Sequence, residues 1–294
     1  MQLNIEISDK TPAWVAADAL RAWLHRVRFA HWAHFLALPL ASVDLHNRGS
    51  ADVLAAARGV AIAFVVLAFG YLLNSVSDRR MDLDVRKNPF IVPGAGEHRY
   101  SLATLFAIGV LLALLSPWPA QLAALSSLAF GSMYSMGPRI KSIGFLGTAA
   151  NVGNFAPLLF VGMSTPSLPP HFASLSLAFA SLLLQNQLIH EASDAAEDRG
   201  GGVQTTWLTL GRRRSAALAA LLGGCAAVAA TWVGPPMHSV AMLVGGGCAF
   251  GGLFPLLLAR RGGETHQAGR LRIAHRWCAL LFGAALYTAS RWPI

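Results

Sequence analysis

Apolar runs long enough to cross a bilayer follow one another along almost the whole chain, and this restricts its fold more than any other feature. A helix needs about 20 mostly apolar residues to span the hydrocarbon, because no water is there to satisfy an open backbone. Such runs occur at 29–47, 54–77, 102–117, 119–136, 143–163, 172–192, 215–233, 238–259 and 273–290. The third and fourth are short and are separated only by "SPWP". With 54% of its 294 residues hydrophobic and 13% charged, the chain is too apolar for a soluble pair of domains. An all-α polytopic membrane protein of about nine transmembrane helices is predicted, with residues 1–294 forming one membrane-embedded domain. Small-residue clusters such as "GGGCAFGG" suit close helix packing in lipid.

The formal charge of +9 raises the question of nucleic acid, and the positions of the basic residues answer it. All of the 23 Lys and Arg except Arg48, Arg58 and Arg291 fall in the N-terminal tail or in the connectors after the second, fourth, sixth and eighth runs. The opposite connectors "SPWP", "STPSLPPH" and "GPPMH" carry none. The bias orients a membrane protein with its N-terminus and even-numbered connectors in the cytoplasm, and nucleic acid is not the expected partner. Residues 1–28 lack the apolar core of a cleavable signal, and "AWVAADALRAWL" suits a helix lying on the membrane surface. Cys225, Cys248 and Cys278 have no ligand spacing and read as packing residues.

Two acidic connectors share a pattern. "NSVSDRRMDLD" sets Asn74, Asp78 and Asp82 four residues apart behind the second run. "QNQLIHEASDAAEDRGGG" sets Asn186, His190, Asp194 and Asp198 at the same interval behind the sixth. Residues i, i+4 and i+8 lie along one helix face, so each run is expected to continue as a helix whose end carries a polar stripe. Glu191, Glu197 and Asp84 fall off these stripes. Acidic residues in a connector are most often solvated loop charge, but two stripes of matching spacing argue for more than that.

Carboxylates one helical turn apart repel, and near a helix C-terminus the backbone's partial negative charge adds to the cost. A cation is expected to compensate. Oxygen donors with no cysteine nearby favour Mg²⁺, which completes its shell with water and substrate phosphate. Two such pairs across a cavity would hold a diphosphate at the mouth of an apolar chamber, a geometry suited to a diphosphate head on a hydrocarbon tail. Metal-assisted loss of diphosphate leaves an allylic cation. Arg139 and Lys141, in "YSMGPRIKSIG", lie in the connector between the two aspartate-bearing runs and can hold the same head. Arg86, Lys87 and Arg212 to Arg214 read instead as topology and headgroup charges. Asn186 and His190, deeper in the sixth run, suit either helix packing or substrate contact.

On these residues the chain resembles the UbiA superfamily of intramembrane prenyltransferases. The family's first motif NDxxDxxxD is matched at Asn74, Asp78 and Asp82, and its second aspartate motif at Asp194 and Asp198. "KNPFIVPG" and "DRGGGVQTTWLTLGRR" are similar to the stretches that follow each motif. The resemblance implies nine helices around a lateral, lipid-accessible cavity, Mg²⁺-dependent prenyl transfer, and the aspartates with Asn74 as metal–diphosphate ligands. Position 75 is serine where the family has aspartate, which leaves one acidic ligand missing. The family's acceptor pockets draw on the start of the first helix, here "RVRFAHWAHFLALPL", where His31 or His34 could orient or deprotonate an acceptor. Tyr71 and Tyr134 could face the cation with their rings, although aromatic residues at helix ends more often anchor the interface.

The expected partners are therefore a prenyl diphosphate, a small aromatic or quinone-precursor acceptor and membrane lipid. A terpene cyclase of the same superfamily, which needs no acceptor, is the second reading. A transporter is the third, disfavoured because both stripes lie at one edge of the membrane and no carboxylate is evident at mid-membrane. A bacterial inner membrane is the expected location.

Overall fold

The computed structural model describes residues 12–46, 52–80, 82, 88–91, 98–136, 140–164, 172–233, 246–247 and 266–290. Helix dominates them. In chain order the α-helices are α1 (Pro12–Arg26), α2 (Phe29–Trp32), α3 (Ala37–His46), α4 (Val53–Asp78), α5 (His98–Leu114), α6 (Trp118–Ser135), α7 (Gly144–Phe155), α8 (Phe172–Gly200), α9 (Thr206–Ala230) and α10 (His266–Ser290). Extended backbone is confined to short parallel bridges that join Ile143 to Gln204 and Gly144 to Thr205.

Among the described residues, α4, α8 and α9 are long and apolar enough to cross a membrane. The first expected run is not one helix: a 3₁₀ segment, Ala33–Leu36, separates α2 from α3. The fifth run is α7 followed by the 3₁₀ turn Ala156–Leu159, where Pro157 supplies no N–H for an α-helical bond. The third and fourth runs form a hairpin, α5 and α6, turning at Ser116 and Pro117. The eighth run, 238–259, lies almost wholly outside the described residues, as does Cys248; Cys225 and Cys278 are free thiols.

Two helices organise the packing. α4 packs on α3, α5 and α6, and α8 packs on α7, α9 and α10. Around α4, Ile62, Val66 and Leu72 join Trp32, Leu128 and Leu158 in the main apolar core. A second core forms where Ala178 and Leu182 of α8 meet Ala226 and Phe282. A third lies where Ile189, Ala192 and Ala195 of α8 meet Trp207 and Ala268. The outer surface is apolar too: Leu115 is 73% exposed, Leu281 69% and Leu221 63%. Burying large apolar side chains stabilises by roughly 1.5–3 kcal/mol each, so such an exterior suits lipid rather than water.

The N-terminus of α4 is fastened on the far side from the acidic motifs. Asp52 caps it, accepting from Ala55 N at 2.8 Å, and Ser164 Oγ donates to the other carboxylate oxygen at 3.2 Å. These backbone bonds hold the Asp52 carboxyl below the usual carboxylate range.

Candidate active site

The C-terminal ends of α4, α6 and α8 converge on one open cleft of about 840 Å³, mouth included. Asn74, Asp78 and Asp82 line one wall, and His190, Asp194 and Asp198 line another. Each stripe reaches the cleft by a different local route.

On the first wall the helix stops at Asp78, so the expected continuous stripe is corrected: Asp82 lies beyond α4. Its N–H still bonds back to Asp78 O at 2.9 Å, which keeps it one turn on. What fixes its side chain is Asn88, whose Nδ2 donates to Asp82 Oδ2 at 2.8 Å and to Ser75 O at 2.7 Å. Asn88 Oδ1 accepts from Phe90 N at 3.0 Å, an Asx turn at the Asn-Pro dipeptide. Ser75 itself is fully buried and does not line the cleft.

On the second wall α8 carries its motif as one continuous helix. His190 Nδ1 lies 3.4 Å from Asp194 Oδ2, and Ser193 Oγ donates to Asp194 Oδ1 at 3.0 Å. The helix then closes in a glycine-dependent turn: Val203 N reaches Asp198 O at 2.9 Å and Gly202 N reaches Arg199 O at 3.4 Å, with Gly202 at φ +69°. That left-handed position at C′ favours glycine because a Cβ would crowd the backbone, which explains the run "RGGG" after Asp198.

Lys141 supplies the cation between the walls. Its ammonium donates to Asn74 Oδ1 at 2.9 Å, makes a close ion pair with Asp78, and lies 5.8 Å from the centre of the Tyr134 ring. Ser135 Oγ adds a 3.3 Å bond to the same Asn74 oxygen. The loop bearing Lys141 folds tightly over α7, since a Cβ at Gly147 would fall 2.7 Å from Lys141 O. Only glycine fits there.

Some expected residues stand elsewhere. Arg139 lies outside the described residues, as does Asp84. Asn186 and Tyr71 do not line the cleft; Asn186 Oδ1 is buried without a hydrogen-bond partner among the described residues. The Tyr71 ring sits among Trp32 and Phe155, at 6.3 and 6.4 Å between centroids. His31 is exposed and also off the cleft.

Other lining residues escaped the spacing argument. Glu191 is buried, and its carboxylate accepts from Thr148 Oγ1 at 2.8 Å, Trp207 N at 2.9 Å and Gln187 Nε2 at 3.3 Å. Thr148 and Thr206 share a further 2.6 Å bond, so one side chain of α8 ties down α7 and the first turn of α9. A carboxylate against a helix N-terminus is favourable there. Glu197, also off the stripe, lines the cleft as well. The one signal in the sequence was negative charge at i+1 and i+3 of a stripe, and periodicity alone discards that.

Chemically the cleft is a set of oxygen donors with one embedded ammonium. Among the described residues no three His, Cys, Asp or Glu side chains cluster closely enough to hold a metal ion on their own. Such an arrangement fits Mg²⁺, which protein sites commonly bind through one or two carboxylates with water and phosphate completing the octahedron.

Comparison with known proteins bears on the whole chain. The family model of the UbiA prenyltransferase family matches residues 35–279. No curated protein matches the sequence significantly. Among solved structures, that of a digeranylgeranylglyceryl phosphate synthase is similar at 15% identity and a TM-score of 0.72, covering 93% of this chain and 99% of the other. A UbiA homolog from Archaeoglobus fulgidus bound to DMAPP and Mg²⁺ is similar at 18% identity and a TM-score of 0.69, covering 91% and 98%. The same homolog bound to GPP and Mg²⁺ gives 17% and 0.69, over 91% and 99%. At these identities the likeness establishes a shared fold.

Proposed function

This chain belongs to the UbiA prenyltransferase family, a family of intramembrane prenyltransferases, and from that premise we propose that it transfers a prenyl group from an isoprenoid diphosphate to an aromatic or quinone-precursor acceptor. The observation that carries the reading is that Asp78 and Asp82 share one cleft with Asp194 and Asp198, with Lys141 between the walls. The relatives bound to DMAPP, GPP and Mg²⁺ support the substrate class and the metal.

Asn74, Asp78 and Asp82 on one wall, and Asp194 and Asp198 on the other, would hold Mg²⁺. When bound, the ion supplies positive charge to a departing diphosphate. Lys141 does the same from the protein side, because an ammonium fixed by Asn74 and Asp78 cannot drift from the phosphate oxygens as their charge grows. As the carbon–oxygen bond to diphosphate breaks, the Tyr134 ring on the cleft wall offers its face to the allylic cation. The acceptor carbon then bonds to the cation and loses its proton. His190, 3.4 Å from Asp194, orients that carboxylate. Ser75 is buried off the cleft, so the serine at this position takes no ligand from the walls as they stand.

The chain as a whole is one membrane-embedded domain of nine spanning helices with a lateral, lipid-accessible cavity. Its acidic end and N-terminus face the cytoplasm of a bacterial inner membrane. Helices α5 and α6, of 17 and 18 residues, rise about 1.5 Å per residue and nearly match a 30 Å core.

Incubating the purified protein with prenyl diphosphates of several lengths, with and without Mg²⁺ and an aromatic acceptor, tests the reading by mass spectrometry. Metal-dependent prenylated acceptor is expected. Cyclised hydrocarbon formed without acceptor would replace transfer by cyclisation, and no diphosphate release under any condition would reject both.

A further inference from the structure

Beside the acidic cleft stands a second cluster of the opposite sign. Arg28 lines the cleft and holds its guanidinium 5.9 Å from the centre of the Tyr71 ring. It is the one residue other than glycine with positive φ among the described residues, at φ 54° and ψ 40°. A side chain in that region costs roughly 1–2 kcal/mol, a cost that persists where the surroundings over-determine it. Here His31 N bonds to Arg28 O at 2.8 Å and Arg28 N to His25 O at 2.9 Å, which fix the turn and aim the side chain inward.

Helix α10 brings two more arginines to the same place. Arg272 and Arg276 are four residues apart, hence on one face. The helix is locked to α8 by His275 Nε2, 2.9 Å from Gln185 Oε1, and Ala268 and Leu271 pack against Ile189, Ala192 and Ala195. Those residues flank His190 and Asp194. Arg272 thus comes within electrostatic range of Arg28, Arg276, Tyr71 and Asp194, and His31 within range of all three arginines. Nε of Arg28 and Nε of Arg272 are both buried with no hydrogen-bond partner among the described residues. Three guanidinium groups gathered this way repel one another, and a planar fork of donors is built to take a carboxylate or phosphate.

Resting on the prenyl-transfer reading, we infer that Arg28, Arg272 and Arg276 form a second anion site, which binds an acceptor through a carboxylate or phosphate group. The acceptor is then an anionic molecule held on the wall beside Asp194, separate from the diphosphate between the aspartate pairs. A cyclase has no use for such a site.

Direct binding to the detergent-purified full chain tests this without turnover. The probes are 4-hydroxybenzoate and phenyl phosphate against the neutral methyl 4-hydroxybenzoate, followed by isothermal titration, with geranyl S-thiolodiphosphate plus Mg²⁺ titrated separately. The wild type is expected to prefer at least one anion over the ester by about tenfold or more, as a charge-assisted fork provides. Arg272→Gln and Arg276→Gln are expected to erase that preference, and Arg213→Gln, an exposed arginine on α9, to keep it. Equal affinity for anions and ester in the wild type overturns the inference. So does a pattern in which the two variants weaken the thiolodiphosphate and spare the anion preference, for then the cluster serves the donor. If the wild type fails to bind the thiolodiphosphate, the prenyl-transfer reading falls, while the anion preference and its loss in the variants still decide this one.

Discussion

Lys141, from the connector between α6 and α7, donates to Asn74 of α4 at 2.9 Å, across 67 positions of sequence. The same ammonium pairs with Asp78, so the only described cation between the two acidic walls is set by a loop and a helix end that meet only in the folded chain.

Removing that ammonium isolates its part in the chemistry. Lys141→Met keeps most of the side-chain volume and is expected to lower kcat/KM for the prenyl diphosphate by about 10²–10³, the loss typical of one fixed charge-stabilising donor. Steady-state kinetics at saturating Mg²⁺ measures it. A value within twofold of wild type would assign Lys141 to structure alone.

Asp78→Ala and Asp194→Ala each take one carboxylate from opposite walls. Both are expected to reduce turnover by at least about 10³ while the protein still elutes as a folded species in size-exclusion chromatography. Full activity in both variants would reject the site.

Glu191 separates architecture from chemistry. Glu191→Ala leaves the Trp207 N–H and the Thr148 hydroxyl without their acceptor in a buried setting, at a cost of about 1–3 kcal/mol for each unsatisfied group. A lowered thermal midpoint is expected, whereas Glu197→Ala, which lines the cleft but is only half-buried, should leave the midpoint unchanged. The opposite order would refute the role given to Glu191.

Asn88 clips Asp82 to the end of α4. Asn88→Ala is expected to reduce kcat/KM by about tenfold or more through a misplaced ligand, with added Mg²⁺ recovering part of the loss. An unchanged Mg²⁺ dependence would exclude this positioning role.

The cap at Asp52 gives a pH dependence of defined sign. Its carboxyl is lowered from 3.8 in the fold, first by the bond from Ala55 N, so its contribution to stability is present above about that pH and is lost as pH falls through the folded value. Asn at the same position still caps but does not titrate. The stability of wild type relative to Asp52→Asn, followed by chemical unfolding, should therefore be flat at higher pH and decline below about pH 4. A flat difference throughout would mean the carboxylate makes no such bond.

How much of the site could be read from the sequence depended on whether the helix persisted. His190, Asp194 and Asp198 sit on one continuous helix, so spacing alone aligned them on the cleft. Asn186, one turn deeper, faces the packed interior instead, because the cleft ends before it. Asp82 shares the interval but not the helix, and its place is set by Asn88, whose only signal was an Asn-Pro dipeptide. Glu191 was discarded by periodicity and yet lines the cleft, since a buried carboxylate answers to donors on α7 and α9 that no local pattern records.

The sequence by itself determined that this chain is helical and lives in a membrane, because apolar length and internal backbone bonding leave no other solution there. It also determined the acidic spacing, which follows from the 3.6-residue turn. Only the tertiary structure decided that α4 and α8 end at the same cleft, that Lys141 fills the gap between them, and that arginines from α10 meet Arg28. Those relations join residues far apart in the chain, and they arise from helix packing, which the order of residues along a strand of sequence does not display.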